Sequence, residues 1–341
     1  MRNEFEHEQL PQEEFERITI DSDQAERIEK PSLSFWQDAW LRLRKNKAAV
    51  VSVVVLLLFL ILALIGPHLN GHAGDAQNLR HANLPPKIPG IEKMGIFDGV
   101  GNLAGKKVDL YEMKKVDEYY WFGTDGLGRD LFTRLWLGTQ VSLFIAFVAA
   151  AIDMVIGVAY GGISGYYGGR TDDIMQRIVE ILIGIPTLVV VILMIMIMDP
   201  GIMAIIIAIS ITGWIGMSRI VRAQTLKYKS QEFVLASRTL GSKDGKIITK
   251  HLLPNMLGII IINTMFTIPN AIFFEAFLSF IGIGLQAPDA SLGTLINDGY
   301  KVMEHQPYML LFPALVISIL MIAFNLIGDG LRDALDPKMK D

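Results

Sequence analysis

Five stretches of this 341-residue chain, at 48–65, 181–198, 201–217, 256–274 and 309–327, contain no charged residue and are almost wholly apolar. Each reaches or approaches the ~20 residues that a helix needs to cross ~30 Å of hydrocarbon. Only helices and closed barrels satisfy all their backbone polar groups in lipid, and no alternating barrel pattern is visible. A sixth run, 141–163, is interrupted only by Asp153. The expected fold class is therefore an all-α membrane protein with six transmembrane helices. Hydrophobic residues make up 51% of the sequence and charged residues 19%, less charge than a soluble domain of this length normally carries.

The absence of cysteine excludes disulfides, thiolate catalysis and cysteine-ligated metals. No small-residue cleavage site follows the first apolar run, so it reads as a retained span rather than a leader. Residues 1–30 carry ten acidic and four basic side chains with few apolar ones, the composition expected of a disordered cytoplasmic tail. In 31–47, Phe35, Trp36, Trp40 and Leu43 share one helical face while Arg42, Arg44, Lys45 and Lys47 crowd the end nearest the span. That pattern predicts a helix lying in the membrane interface.

Lys and Arg in short loops are retained on the cytoplasmic side. The loop 218–255 holds eight of them, whereas 284–308 holds only Lys301. Alternation then places both termini in the cytoplasm of a multi-pass plasma-membrane protein. The organisation read from the sequence is a first span at 48–65, an extracellular segment at 66–137 to which no fold is assigned, a five-helix core at 138–328, and a cytoplasmic tail at 329–341.

Two segments imitate catalytic motifs. Gly123-Thr124-Asp125-Gly126-Leu127-Gly128-Arg129-Asp130 has phosphate-loop glycine spacing, but Arg129 and Asp130 replace the lysine and the hydroxyl that would ligate magnesium. Gly162-Ile163-Ser164-Gly165 resembles the nucleophile motif of intramembrane serine proteases. None of the six histidines lies within a span to act as base, so helix–helix contact is the preferred reading. Acidic groups within membranes are costly, which makes Asp153, Glu180 and Glu275 candidates for ion or proton handling. Glu180 and Glu275 sit at the ends of charge-free runs, where an interface or loop would solvate them. For Asp153 a structural hydrogen bond to a neighbouring helix is expected. No metal ligands, cofactor or nucleic-acid partner are expected on this chain.

The most informative segment is 230–255, SQEFVLASRTLGSKDGKIITKHLLPN. Phe233, Ala236 and Leu240 recur at helical spacing, and Gly241 then tolerates the left-handed conformation that ends a helix. Ser242 is positioned to cap a second short helix carrying Ile247, Ile248 and Leu252, which Pro254 closes before span five. Apolar faces in such a loop must be buried against something.

This loop resembles the EAA loop of binding-protein-dependent ABC importer permeases. Their pattern of E-A-A, three residues, G, nine residues and I-x-L-P falls on Leu235-Ala236-Ser237, Gly241, His251 and Leu253-Pro254. Ala236, Gly241, Leu253 and Pro254 match; Leu235, Ser237 and His251 depart. FGTDGLGRD at 122–130, LSFIGIG at 278–284 and GDGLRDALDP at 328–337 narrow the resemblance to the peptide and nickel branch, specifically to oligopeptide/dipeptide permeases of the C-component type. The resemblance implies a type I importer permease fold with a homologous second permease and two ATPase subunits that carry ATP and Mg. It also implies an extracellular substrate-binding protein delivering peptide, and an ATPase-coupling role for Phe233, Leu235, Ala236, Ser237, Leu240, Gly241, Leu253 and Pro254.

Overall fold

The computed structural model describes residues 34–103 and 106–335. The expectation of disorder for 1–30 lies outside the described residues. The chain divides into two compact units, 1–38 and 39–341. Of the first, only 34–38 are described; they include the opening turn of helix α1, Phe35–Lys45.

The first long helix, α2 (Lys47–Ile65), starts where the Asn46 side chain accepts from the Ala49 amide. It buries Ala49, Ser52 and Ala63 and packs Leu56 and Phe59 on the core, while most of its other apolar side chains, such as Val51, Val54, Ile61 and Leu64, are exposed. Segment 66–130, for which hydropathy offered no fold, forms a small cap. It contains an antiparallel ribbon of β1 (Val100–Leu103) and β2 (Lys106–Asp109), a short helix α3 (Leu110–Lys114), and a core of Leu84, Tyr111, Val116 and Tyr120.

The cap ends in the phosphate-loop look-alike, which is held by hydrogen bonds within the cap. Asp125 accepts from the backbone amides of Leu127 and Arg129 and from Arg129 Nε at 2.7 Å. Thr124 Oγ1 donates to the His81 carbonyl and accepts from the Leu84 amide. Gly128 has φ +73° and lies so close to the Asn78 carbonyl that a Cβ would collide with it. This knot delivers Asp130 as the N-cap of α4 (Leu131–Tyr167), accepting from the Thr133 amide at 2.7 Å. The helix thus begins seven residues before 138, because the cap and not the onset of hydrophobicity sets its start.

Membrane-scale helices continue with α7 (Ile202–Tyr228), α10 (Leu253–Phe280) and α12 (Tyr308–Leu335). Among the described residues five helical segments are long and apolar enough to cross a membrane, and a bent helix pair adds a sixth if the two halves form one span. That pair is α5 (Gly169–Ile183) and α6 (Thr187–Met198), which meet at 80°. The uninterrupted span expected at 181–198 is thus corrected. Pro186 has no N–H and disfavours helical backbone at Ile185, and Gly184 gives the adjoining turn no stiffness. Pro269 and Pro313 lie inside α10 and α12 without ending them, so proline alone does not break the chain.

Helices α4, α6, α7, α10 and α12 share one core, which includes Ile145, Ala149, Val191, Ile205, Ile272 and Leu320. The loop expected at 284–308 contains a further amphipathic helix, α11 (Leu292–Lys301), with a Ser291–Thr294 capping box. It packs on α12, α10 and α4.

Candidate functional site: a two-helix loop and a polar cavity

The loop at 230–255 opens with α8 (Glu232–Thr239), which buries Val234 and Ser237 against its own chain. Phe233, Leu235, Ala236 and Leu240 face away, Leu240 being 86% exposed. Within α8, packing on the chain's own helices is therefore done by Val234, which the sequence pattern did not mark, and by Ser237, which it did. Gly241, at φ +76°, ends the helix. Its amide donates to Arg238 O at 3.0 Å and that of Ser242 to Ser237 O at 3.2 Å, the paired bonds of a Schellman turn.

Beyond Gly241 the expected geometry is corrected twice. Lys243, and not Ser242, occupies the N-cap of α9 (Asp244–Ile247), in extended backbone without a side-chain cap bond. Nor does Pro254 close a short helix: α9 runs through a π-turn, Ile248–Leu252, directly into α10, where Pro254 is in the first turn. The wider turn pairs the Leu253 amide with Ile248 O and shifts the register, so the chain passes the proline without stopping. Val234, Ile247 and Leu252 bury themselves with Met217 and Val221 of α7 and Met256 and Ile260 of α10. Tyr166 at the end of α4 donates to Asp244 Oδ1 at 2.7 Å.

The close approach of α4 to α7 rests on Gly157, Gly161 and Gly165, one turn apart. A Cβ at Gly161 would strike the Ser218 carbonyl, and one at Gly165 would lie 2.8 Å from Thr225 Cβ. Small residues at that spacing let helix backbones touch, as preferred for the Gly162-Ile163-Ser164-Gly165 motif. Ser164 Oγ donates to Asp172 Oδ1 at 2.5 Å, and Asp172 also receives both Arg222 Nε and Nη2 at 2.6 Å. This bidentate pair links α5 to α7 across fifty residues of sequence and carries no signal in either segment.

A cavity of about 470 Å³ is lined by α4, α6, α7 and α10. Its polar lining includes Asp153, Thr187, Thr212, Asn263, Thr267 and Asn270; Met217 belongs both to the cavity wall and to the cluster that anchors the loop. Asp153 is 3% exposed and, contrary to expectation, its Oδ1 has no hydrogen-bond partner among the described residues. It lies over Gly213, where a Cβ would displace the carboxylate.

The other acidic candidates part company. Glu180 is exposed and paired with Arg177 at 2.7 Å, as its position at a run's end suggests. Glu275 is fully buried, which corrects the expectation of solvation. Ser142 Oγ donates to it at 2.7 Å and Ser279 Oγ at 2.8 Å, while Ser142 Oγ accepts from the Leu292 amide. The carboxylate thereby fixes α4, α10 and the start of α11 together.

Residues 157–341 match the family described as the binding-protein-dependent transport system inner membrane component, and residues 34–86 match the N-terminal TM domain of oligopeptide transport permease C. The chain is 47% identical to the dipeptide transport system permease protein DppC of Bacillus subtilis, over 98% of its own length and 95% of that protein's. It is 44% identical to the oligopeptide transport system permease protein OppC of the same organism, over 97% and 99% of the two lengths. Among solved structures, an inward-facing form of the MetNI methionine ABC transporter has a chain that aligns at TM-score 0.48 and 21% identity, covering 58% of this chain and 94% of that one.

Proposed function

The chain belongs to the binding-protein-dependent transport-system inner membrane components, and among them to the oligopeptide/dipeptide ABC permeases of the C type, and on that premise we propose how it takes part in import. As a multi-pass, non-catalytic subunit, it pairs with a homologous second permease. Two separate ATPase subunits, carrying ATP and Mg, grip the 230–255 loop from the cytoplasm, where both termini also lie. A binding protein delivers oligopeptides or dipeptides from outside, to the side of the 66–137 segment.

One observation carries this reading. The loop presents Phe233, Leu235 and Leu240 outward while its other face is locked into α7 and α10. An apolar face held on a rigid base is suited to receive a partner and transmit its movement. When ATP closes the ATPases, displacement of α8 passes through Val234, Ile247 and Leu252 to Met217, and so to the wall of the cavity. The two permeases then exchange inward and outward states whose populations nucleotide biases.

A photo-reactive residue placed at Leu240 tests the docking. It should crosslink to an ATPase subunit in the assembled complex, and the same probe at buried Ile247 should not. Crosslinking of position 240 to lipid alone would overturn the assignment.

A further inference from the structure

The cavity beside α4 offers a ligand one carboxylate and several neutral polar groups. Asp153 is the one charged residue in its lining among the described residues, and its Oδ1 is buried without a partner. Two neighbouring groups donate within their own helix: Asn263 Nδ2 gives one N–H to the Ile259 backbone carbonyl at 2.7 Å, and Thr267 Oγ1 donates to the Asn263 backbone carbonyl at 3.0 Å. Both bonds lie within α10 and leave Asn263 Oδ1 and the Thr267 lone pairs able to accept. A buried carboxylate without a counter-charge is costly, and no Lys or Arg of the lining supplies one. The complementary ligand group is a donor-rich cation. A primary ammonium fits, with three N–H donors and no acceptor. At about 470 Å³ the space exceeds a bare ion and falls in the ~300–1,000 Å³ range of small-ligand sites.

We propose that this cavity is a substrate-binding site that holds a primary ammonium group of the peptide, with Asp153 as its counter-ion and Asn263 as a second acceptor. The inference rests on the peptide-importer reading above. Gly213 belongs to the site by what it lacks, since a methyl there would push the carboxylate out of place. The ammonium can be the α-amino terminus or a lysine side chain, which share the same chemistry.

The absence of cysteine from this chain gives a direct test. Thr212→Cys puts a thiol in the cavity wall, and its alkylation in the reconstituted complex is followed by mass spectrometry of this subunit. The binding protein is omitted so that its own selectivity does not enter. Trialanine should slow alkylation, and N-acetyl-trialanine should require a concentration higher on the order of tenfold or more for equal protection. Asp153→Asn, nearly isosteric, should erase that difference. Gly213→Ala should do the same with the carboxylate retained, and Asp153→Glu should restore part of it if Asp153→Asn perturbs assembly. An acetylated peptide carrying one lysine separates the sources: protection assigns the site to any primary ammonium, and its absence assigns it to the α-amino terminus. Equal protection by free and acetylated trialanine, equal protection with and without the Asp153 charge, or no protection by any peptide would overturn the proposal. ATP-driven uptake by the same complex with its binding protein restored reports separately on the importer reading, because it can persist when selective protection fails.

Discussion

Replacing Gly241 by valine should uncouple the loop while leaving the membrane helices in place. Gly241 has φ +76°, and a Cβ there would meet no atom within 4 Å. The penalty is therefore purely conformational, about 1–3 kcal/mol for a β-branched residue held in the left-handed region. Against it stand Val234, Ile247 and Leu252, each 2% exposed or less, whose burial contributes about 1.5–3 kcal/mol apiece, or about 5–9 kcal/mol together. The strain is too small to detach the loop or prevent insertion. It is large enough to break the two Schellman bonds and re-aim α8, because relaxing φ at 241 removes the alignment of the 241 and 242 amides with Arg238 O and Ser237 O. We expect near-normal amounts of Gly241→Val in the membrane, ATPase subunits that co-purify weakly or hydrolyse ATP without transport, and uptake largely lost. Gly241→Asn, which tolerates the left-handed conformation, should retain most function. Wild-type affinity and coupling in Gly241→Val would refute the reasoning.

Leu240→Glu should weaken ATPase co-purification without altering membrane insertion, since the 86%-exposed side chain contributes little to the fold; unchanged co-purification would remove Leu240 from the docking face. Gly161→Leu should separate α4 from α7 and destabilise the purified subunit by about 1–3 kcal/mol or more, seen as a lower thermal midpoint. Gly162→Ala, whose added methyl would find only Ile248 at 3.8 Å, should be nearly silent. Arg222→Ala leaves Asp172 with only the Ser164 hydroxyl and should destabilise the α5–α7 contact by about 1–3 kcal/mol, measured as earlier proteolysis near 168–172. For orientation, a membrane-impermeant thiol reagent applied to whole cells should label Met94→Cys and Ala287→Cys and spare Ser242→Cys; labelling of the last would invert the topology.

What the sequence disclosed and what it hid follow from the kind of signal each feature leaves. Hydropathy marks where chain can enter lipid but has no direction, so the run at 181–198 looks continuous although it turns by 80° at Pro186. The α11 helix leaves no hydropathy signal because its ten residues include Asn297, Asp298 and Lys301, too polar and too short to resemble a span. In the loop, Gly241 is legible because a backbone requirement shows in residue type, whereas the roles of Ser242 and Pro254 are not, because capping and helix closure depend on neighbouring register. Asp153 and Glu275 are both carboxylates beside apolar runs, yet one is held by two serines and the other has an oxygen without a partner. That contrast depends on helix rotation, which no local pattern encodes. The Asp172–Arg222 pair is likewise a product of tertiary contact alone.

Peptide uptake into proteoliposomes, measured with and without the ATPase subunits and with a proton gradient imposed in separate samples, bears most directly on the claim that this chain is a passive permease driven from its 230–255 loop. The account predicts uptake only when the second permease, both ATPases, binding protein and ATP are present, and its loss with Gly241→Val. Uptake driven by the proton gradient without ATPases, and abolished by Asp153→Asn, would contradict it.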